Sequence, residues 1–415
     1  MSNKTLIFII VLCHLAVLAI PPRCYEPDET TYLYSGRNLI RGKWIISLEE
    51  LAPQIREAQN SGYIIGPNPL GYTHLEGNRY TLSKPFFFPL IAGFFDRYIT
   101  FRLINLFFSL MLFLFSWIYI RHITKNWPLF LALLYLNPAC FIMLSRPLMS
   151  DFASMVCIFL SFMSFYLILK RDIYPGIKTM PLYFILFFCT LASPLLRLPN
   201  IIILPVILPF AAYEIIKRGF IRHSGLVLAI LLAGLAFLSI YISLNIYLYE
   251  KPLWSGYHQT QNIKRVSFPF AFMKVIAPGN VNLKGILFRN FSMLMRDMLL
   301  AYPVLFMLLL TFRTEHGPPG YFLLISLIWI LFIFFQYKVP MNLHFIFILR
   351  MFLPAAGFAS LLTSLHLHSK NRLAAIYSII FMAVLSIISY ISYLVFSNTV
   401  TSAEFRLIPL IWNLS

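Results

Sequence analysis

Residues 5–29 read TLIFIIVLCHLAVLAIPPRCYEPDE. The apolar run Thr5–Pro22 approaches the roughly 20 residues that cross the hydrocarbon of a bilayer. Lys4 precedes it, and Pro21-Pro22-Arg23 stands where a small-residue cleavage site would have to lie. The run therefore reads as a first transmembrane helix that is kept as a signal anchor rather than removed. At its exit Glu26-Pro27-Asp28-Glu29 gathers three carboxylates, in a chain with 15 Asp and Glu against 33 Lys and Arg. Acids this scarce, concentrated at one membrane boundary, invite a chemical explanation. The structural alternative is a polar cap on an interfacial helix.

The rest of the chain repeats the apolar theme. Of 415 residues, 60% are hydrophobic and 12% charged, and the mean hydropathy is +0.78. That charged fraction is about half of what a soluble domain carries. Continuous rather than alternating apolar runs argue against a β-barrel. The expected fold is therefore an all-α polytopic membrane protein. The formal charge of +18 accompanies no basic, aromatic-interleaved soluble domain, so nucleic acid is not an expected partner. It fits basic loops that set topology and cationic sites for phosphate groups. Cys13, Cys140, Cys157 and Cys189 lie in apolar runs, Cys24 lies near the first exit, and no pair has metal-ligand spacing.

About eleven spans are expected on the length criterion. They are Thr5–Pro22, Thr100–Ile120, Trp127–Leu144, Ser150–Leu169, Pro181–Leu196, Leu198–Ile216, Leu226–Leu248, Met293–Phe312, Tyr321–Gln336, Phe347–His366 and Ala374–Phe396. Short basic loops follow alternate spans: Arg121 to Lys125, Lys170-Arg171 with Lys178, Lys217-Arg218 with Arg222, and Lys370 with Arg372. The positive-inside rule puts them and the N-terminus in the cytoplasm. The loops 23–98 and 250–292 then face outside. The chain reads as one membrane domain, residues 1–415, without internal repeat or soluble terminal domain. Its expected location is the cytoplasmic membrane of a prokaryote rather than the endoplasmic reticulum.

Within the first outer loop, Asp28–Trp44 reads as a helix along the interface. Asp28 is its N-cap, Gly42 lies near its stop, and Tyr32, Tyr34, Leu39, Ile40 and Trp44 anchor it. Leu48–Gln59 reads as a second short helix. Phe86–Phe95 is apolar but too short to span. Glu26, Asp28, Glu29, Lys84, Asp96, Arg97, Arg102, Arg146, Asp151, Arg197, Lys338, His344 and Arg350 all map to outer helix ends. Ionisable groups at membrane depth are functional candidates by default. A mixture of acids and bases on one face suits a reaction on an anionic lipid. Cations or a metal stabilise a leaving phosphate, and a carboxylate takes the proton of an attacking hydroxyl. A carboxylate at a helix N-terminus stays ionised because free N–H groups and the helix dipole favour the anion. No Ser–His–Asp or Cys–His order supports covalent acyl chemistry.

Tyr25-Glu26-Pro27-Asp28-Glu29-Thr30-Thr31-Tyr32-Leu33, followed by Gly42, resembles the first-loop signature of GT-C glycosyltransferases. There an Asp-Glu pair follows the first helix and an interfacial helix ends in Gly. Tyr80-Thr81-Leu82-Ser83-Lys84-Pro85 resembles the Lys-Pro-Pro element of the branch that uses polyprenyl-phosphate sugars, with Phe86 in place of the second Pro. That branch includes protein O-mannosyltransferases and the lipid A aminoarabinose transferase. Arg102-Leu103-Ile104-Asn105 resembles the opening of the family's second helix, and Ser150-Asp151 its second-loop acid. Arg350-Met351-Phe352-Leu353-Pro354 resembles the late Arg-Tyr-x-x-Pro element, with Met for Tyr.

The resemblance implies a GT-C bundle that moves a sugar from a polyprenyl- or dolichyl-phosphate donor to a hydroxyl of a glycan, lipid or protein acceptor. Asp28 would act as base or through a divalent metal (Mg or Mn) shared with Asp151, and Glu29 and Asp151 would be supporting acids. Lys84, Arg146, Arg197 and Arg350 would hold the donor phosphate, among membrane lipids. Each assignment also has a structural reading. Asp151 pairs with Arg146, Lys84 snorkels to headgroups, Arg197 and Arg350 anchor the interface, and Glu29 caps or salt-bridges. A transporter or lipid flippase, or a non-catalytic subunit, is the competing class.

Overall fold

A computed structural model of the chain describes residues 2–19, 27–62, 69–75, 79–82, 84–170, 172, 177–197, 200, 207, 220–249, 298–311, 350, 352–370 and 372–397. In chain order these begin with α1 (Asn3–Ala19), α2 (Pro27–Ile40), β1 (Ile45–Ser47), α3 (Leu48–Asn60), β2 (Tyr72–Leu75), β3 (Arg79–Leu82) and α4 (Phe87–Tyr98). There follow α5 (Ile104–Ile118), α6 (Trp127–Tyr135), α7 (Pro138–Leu144), α8 (Ser150–Leu169) and α9 (Thr179–Leu196). The last are α10 (Phe220–Tyr249), α11 (Pro303–Thr311), α12 (Leu353–Lys370) and α13 (Arg372–Ser397).

Among the described residues Phe101–His122, α8, α9 and Gly225–Tyr249 are long and apolar enough to cross a membrane. The pair α6–α7 adds a fifth span if counted as one. The protein is mostly helical and membrane-embedded, with fewer spans described than the sequence suggests. The expected span Tyr321–Gln336, nearly all of Leu198–Ile216 and the loop 250–292 fall outside the described residues.

The chain divides into two compact units, one of residues 21–108 and 146–278, the other of residues 1–20, 109–145 and 279–415. In the first unit all 20 residues of α8 are buried. An apolar helix that carries one acid, four serines and one cysteine can be enclosed on every side. It packs on α9, which packs in turn on α10. Met180, Phe184 and Phe188 of α9 and Leu228, Leu231 and Leu235 of α10 remain exposed, as lipid-facing residues do.

The segment between α1 and α5 is more ordered than its sequence suggests. β1, β3 and β2 form an antiparallel sheet in that order, with Ile45 opposite Thr81 and Tyr72 opposite Leu82. α3 starts at a capping box: Glu50 N–H donates to Ser47 Oγ (3.3 Å), and Ser47 N–H donates to Glu50 Oε2 (3.2 Å). α2 ends at Ile40 rather than Trp44, just before Gly42 with φ +76°. α2 and α4 cross at Gly36 and Gly93, where the two backbones touch. A methyl group on Gly36 would stand 2.3 Å from the Pro89 carbonyl oxygen, and one on Gly93 2.2 Å from the Gly36 carbonyl oxygen.

In the second unit the expected single helix Trp127–Leu144 is broken. α6 and α7 meet at a bend of 76°. Asn137 caps α7 by accepting from Ala139 N–H at 3.2 Å, and Pro138 occupies its first turn. The Leu136 carbonyl, released at the break, accepts from the Ser386 hydroxyl. A broken helix in hydrocarbon requires such a replacement donor. α1 is tied to the unit by a polar chain: His14 Nε2 lies 2.5 Å from Ser109 Oγ, itself 2.5 Å from Tyr135 Oη. α12 carries fully buried Ala355, Ala356, Ala359 and Ser360. It lies against α6 and α11, the close approach that small residues permit.

Candidate active site

The first unit brings the N-termini of α2 and α8 together. Tyr32, one turn into α2, places its hydroxyl 3.4 Å from Ser150 Oγ at the start of α8. Around this junction sit three carboxylate–cation pairs.

Glu29 and Arg146 form the innermost pair. Arg146 Nε donates to Glu29 Oε1 at 3.0 Å, and Nη2 donates to Oε2, a two-pronged contact. Both side chains are 2% exposed. Asp151, in the first turn of α8, is paired with Arg197, the residue that ends α9. The Asp151 side chain is sealed and that of Arg197 is 13% exposed. Next to this pair Asn200 Nδ2 donates to Ser154 Oγ (2.5 Å) and to the Ser193 carbonyl (2.9 Å), so the end of α9 is bonded to α8.

The third pair is Asp28 and Lys84, with Lys84 Nζ 3.0 Å from Asp28 Oδ1 and both side chains 21% exposed. Asp28 lies within the first turn of α2 rather than at its N-cap, because the helix starts one residue earlier at Pro27. It still meets the unbonded N–H groups of a helix start. Lys84 lies between β3 and α4. Tyr249 at the end of α10 donates its hydroxyl to the Leu82 carbonyl. Phe86 and Phe87 pack against Leu195 of α9 and Phe237 of α10. Lys84 is thus carried by a segment clamped on both sides.

These positions correct one pairing. Asp151 is bonded to Arg197 instead of Arg146, because Arg146 is taken by Glu29. The sequence offers no sign of this, since the partners Glu29 and Arg146 lie 117 residues apart. Lys84 is held by a carboxylate and does not merely snorkel. Asp96 is paired with Arg37 of α2 (2.8 Å). Arg102 is exposed on the short turn before α5. Arg350 belongs to the other unit, where it is buried just before α12. Glu26, Lys338 and His344 lie outside the described residues.

The metal-ligand role for Asp28 and Asp151 gains no donor cluster. Among the described residues no three His, Cys, Asp or Glu side chains gather where they could hold an ion. Asp28 faces an ammonium through Oδ1 and Asp151 a guanidinium through Oδ1.

The arrangement grades the acids by access. Two carboxylates are sealed by guanidinium groups and hold helix ends together. The third is half-open, beside a flexible primary ammonium. No family model, curated protein or solved structure matches the chain.

Proposed function

We propose that the chain is a membrane glycosyltransferase of the GT-C kind, moving a sugar from a polyprenyl- or dolichyl-phosphate donor to an acceptor hydroxyl on the outer face. The observation that carries the reading is the half-open Asp28–Lys84 pair beside two sealed pairs. A base must reach a substrate proton, and a phosphate-binding cation must reach an anion. Among the three pairs at this junction, this one leaves both partners accessible.

In this reading the donor phosphate draws Lys84 toward itself. The acceptor oxygen attacks the anomeric carbon as the carbon–oxygen bond to the phosphate breaks. The bonding pair leaves with the lipid phosphate, where Lys84 offsets its charge. The hydroxyl proton passes to Asp28. Glu29–Arg146 and Asp151–Arg197 keep the starts of α2 and α8 in place and hold no substrate. This narrows the role expected for Arg146 and Arg197 from phosphate ligands to positioning groups.

The test is sugar transfer from a polyprenyl-phosphate sugar by protein purified in detergent. Asp28→Asn is expected to lower kcat by about 10²–10⁴ while donor binding persists. Undiminished transfer in that variant would falsify the assignment. The broken pair α6–α7 is the observation that favours a transporter, since substrate sites in transporters lie at interrupted helices. A transporter shows activity across a sealed bilayer and none in detergent, so the same assay separates the two.

A further inference from the structure

At the other end of α2 lies a second polar site that the proposed chemistry does not use. A cavity of about 320 Å³ opens between the C-terminal turns of α2 and α4, lined by Arg37, Ile40, Arg41, Gly93, Asp96 and Arg97. Gly93, one of the two glycines at the crossing of α2 and α4, lines it without a side chain. Asp96 is neutralised by Arg37, whose Nη1 also reaches Glu57 Oε1 at 3.2 Å. Arg41 and Arg97 are exposed and have no carboxylate partner among the described residues. Two of the last carbonyls of α2 are engaged by N–H groups of the following turn. The Asn38 carbonyl accepts from Arg41 and Lys43 N–H groups, and that of Leu39 from Gly42 N–H. The lining therefore sets three guanidinium groups against one carboxylate, and two of them, those of Arg41 and Arg97, have no carboxylate partner among the described residues.

The surroundings indicate what fills it. Phe94, Tyr98 and Ile99, on and just beyond the same end of α4, are 47%, 59% and 55% exposed. The guanidinium of Arg97 lies over the Tyr98 ring at 5.2 Å. A 12-residue helix is about 18 Å long, too short to span. Aromatic side chains at its exposed end belong at the headgroup level. Arginine binds phosphate through paired N–H donors and is the favoured residue for that purpose.

We propose that this cavity binds the phosphate of an anionic phospholipid, with Arg41 and Arg97 on the phosphate oxygens and Phe94, Tyr98 and Ile99 against the acyl chains. The shared chemistry is a phosphate anion, and the exposed aromatic edge favours a lipid over a soluble source. The inference is independent of the glycosyltransferase reading.

The test uses the full chain in phosphatidylcholine nanodiscs with and without phosphatidylglycerol, followed by native mass spectrometry of retained lipid. The wild type should retain phosphatidylglycerol over phosphatidylcholine. Arg41→Gln/Arg97→Gln should weaken that preference about tenfold or more, the loss expected for charge-assisted hydrogen bonds. Arg121→Gln, which removes an exposed arginine elsewhere, should leave it intact. Equal retention in wild type and the double variant, with the helical circular dichroism of both preserved, overturns the site. A parallel titration of detergent-solubilised protein with pyrophosphate tests the soluble source. Tight, arginine-dependent pyrophosphate binding without lipid preference overturns the lipid assignment.

Discussion

Replacing Glu29 by leucine leaves the Arg146 guanidinium buried at 2% exposure without its carboxylate. Two hydrogen bonds vanish together, and the remaining charge cannot reach water. Breaking one side of such a pair costs about 3–5 kcal/mol, because the uncompensated ion carries its full desolvation penalty. Against a native stability of about 5–15 kcal/mol that is roughly a fifth or more of the total. Glu29→Leu/Arg146→Leu removes both charges and is expected to recover most of the loss, since an apolar pair of similar size avoids the penalty altogether. The assay is a double-mutant cycle of unfolding free energies in a fixed detergent, read by tryptophan fluorescence or by accessibility of a buried reporter. A coupling of about 2 kcal/mol or more is expected. A single-variant loss below about 1 kcal/mol, the range of exposed pairs, would mean that the pair is hydrated and that the sealed-versus-open distinction among the acids is wrong.

Further outcomes follow from the same geometry. Lys84→Gln should raise the donor KM more than it lowers kcat, whereas Asp28→Asn should do the reverse; equal effects on both constants in both variants would contradict the division of labour. Gly93→Ala forces a methyl group to within 2.2 Å of the Gly36 carbonyl oxygen, so it should cost about 1–3 kcal/mol and lower the melting temperature. Unchanged stability would place α2 and α4 farther apart. Ser386→Ala strips the Leu136 carbonyl of a donor at the α6–α7 break, with an expected loss of about 1–3 kcal/mol; a neutral effect in thermal unfolding would mean that another donor replaces it. Finally, the hydrogen bond from Lys43 (2.6 Å) and that of the Ser47 N–H hold the Glu50 carboxyl below its ordinary value. A lowered folded value gives stability that is present above the unfolded value of about 4.3 and is lost as pH falls through the folded one. The protection of the amides at the start of α3, corrected for the intrinsic pH dependence of exchange, should therefore fall in acid, and Glu50→Gln should flatten that dependence.

Composition and run length were enough to give the helical, membrane-embedded character. The reason is thermodynamic: a backbone in hydrocarbon must satisfy its own hydrogen bonds, so long apolar runs have one solution. The short α2 and α3 were legible too, and for α2 the first-turn acids and Gly42 are local signals. Their ends were less so. The position of Asp28 inside the first turn and the stop at Ile40 depend on how neighbouring segments take up the chain. The three-stranded sheet left no sequence trace, because strands of three and four residues are too short to show an alternating pattern. The break at Leu136-Asn137-Pro138 had a local signal, an Asn-Pro step inside an apolar run. Length alone hid it by allowing one continuous span.

The acids separate the two levels most clearly. By itself the sequence singled out Glu29, Asp28, Asp151, Lys84, Arg146 and Arg197 as ions too costly to sit idle in a membrane. That cost is a property of each residue and needs no partner to be noticed. Which cation neutralises which acid, and which acid keeps an open face, are properties of distance and burial between segments that are far apart in the chain, 46 residues for Asp151 and Arg197 and 117 for Glu29 and Arg146. Only the tertiary structure pairs Arg146 with Glu29 and Arg197 with Asp151 and leaves Asp28 half-open beside Lys84. Coulomb attraction and desolvation act through space, and the order of residues along a chain does not encode which ends of which helices will meet.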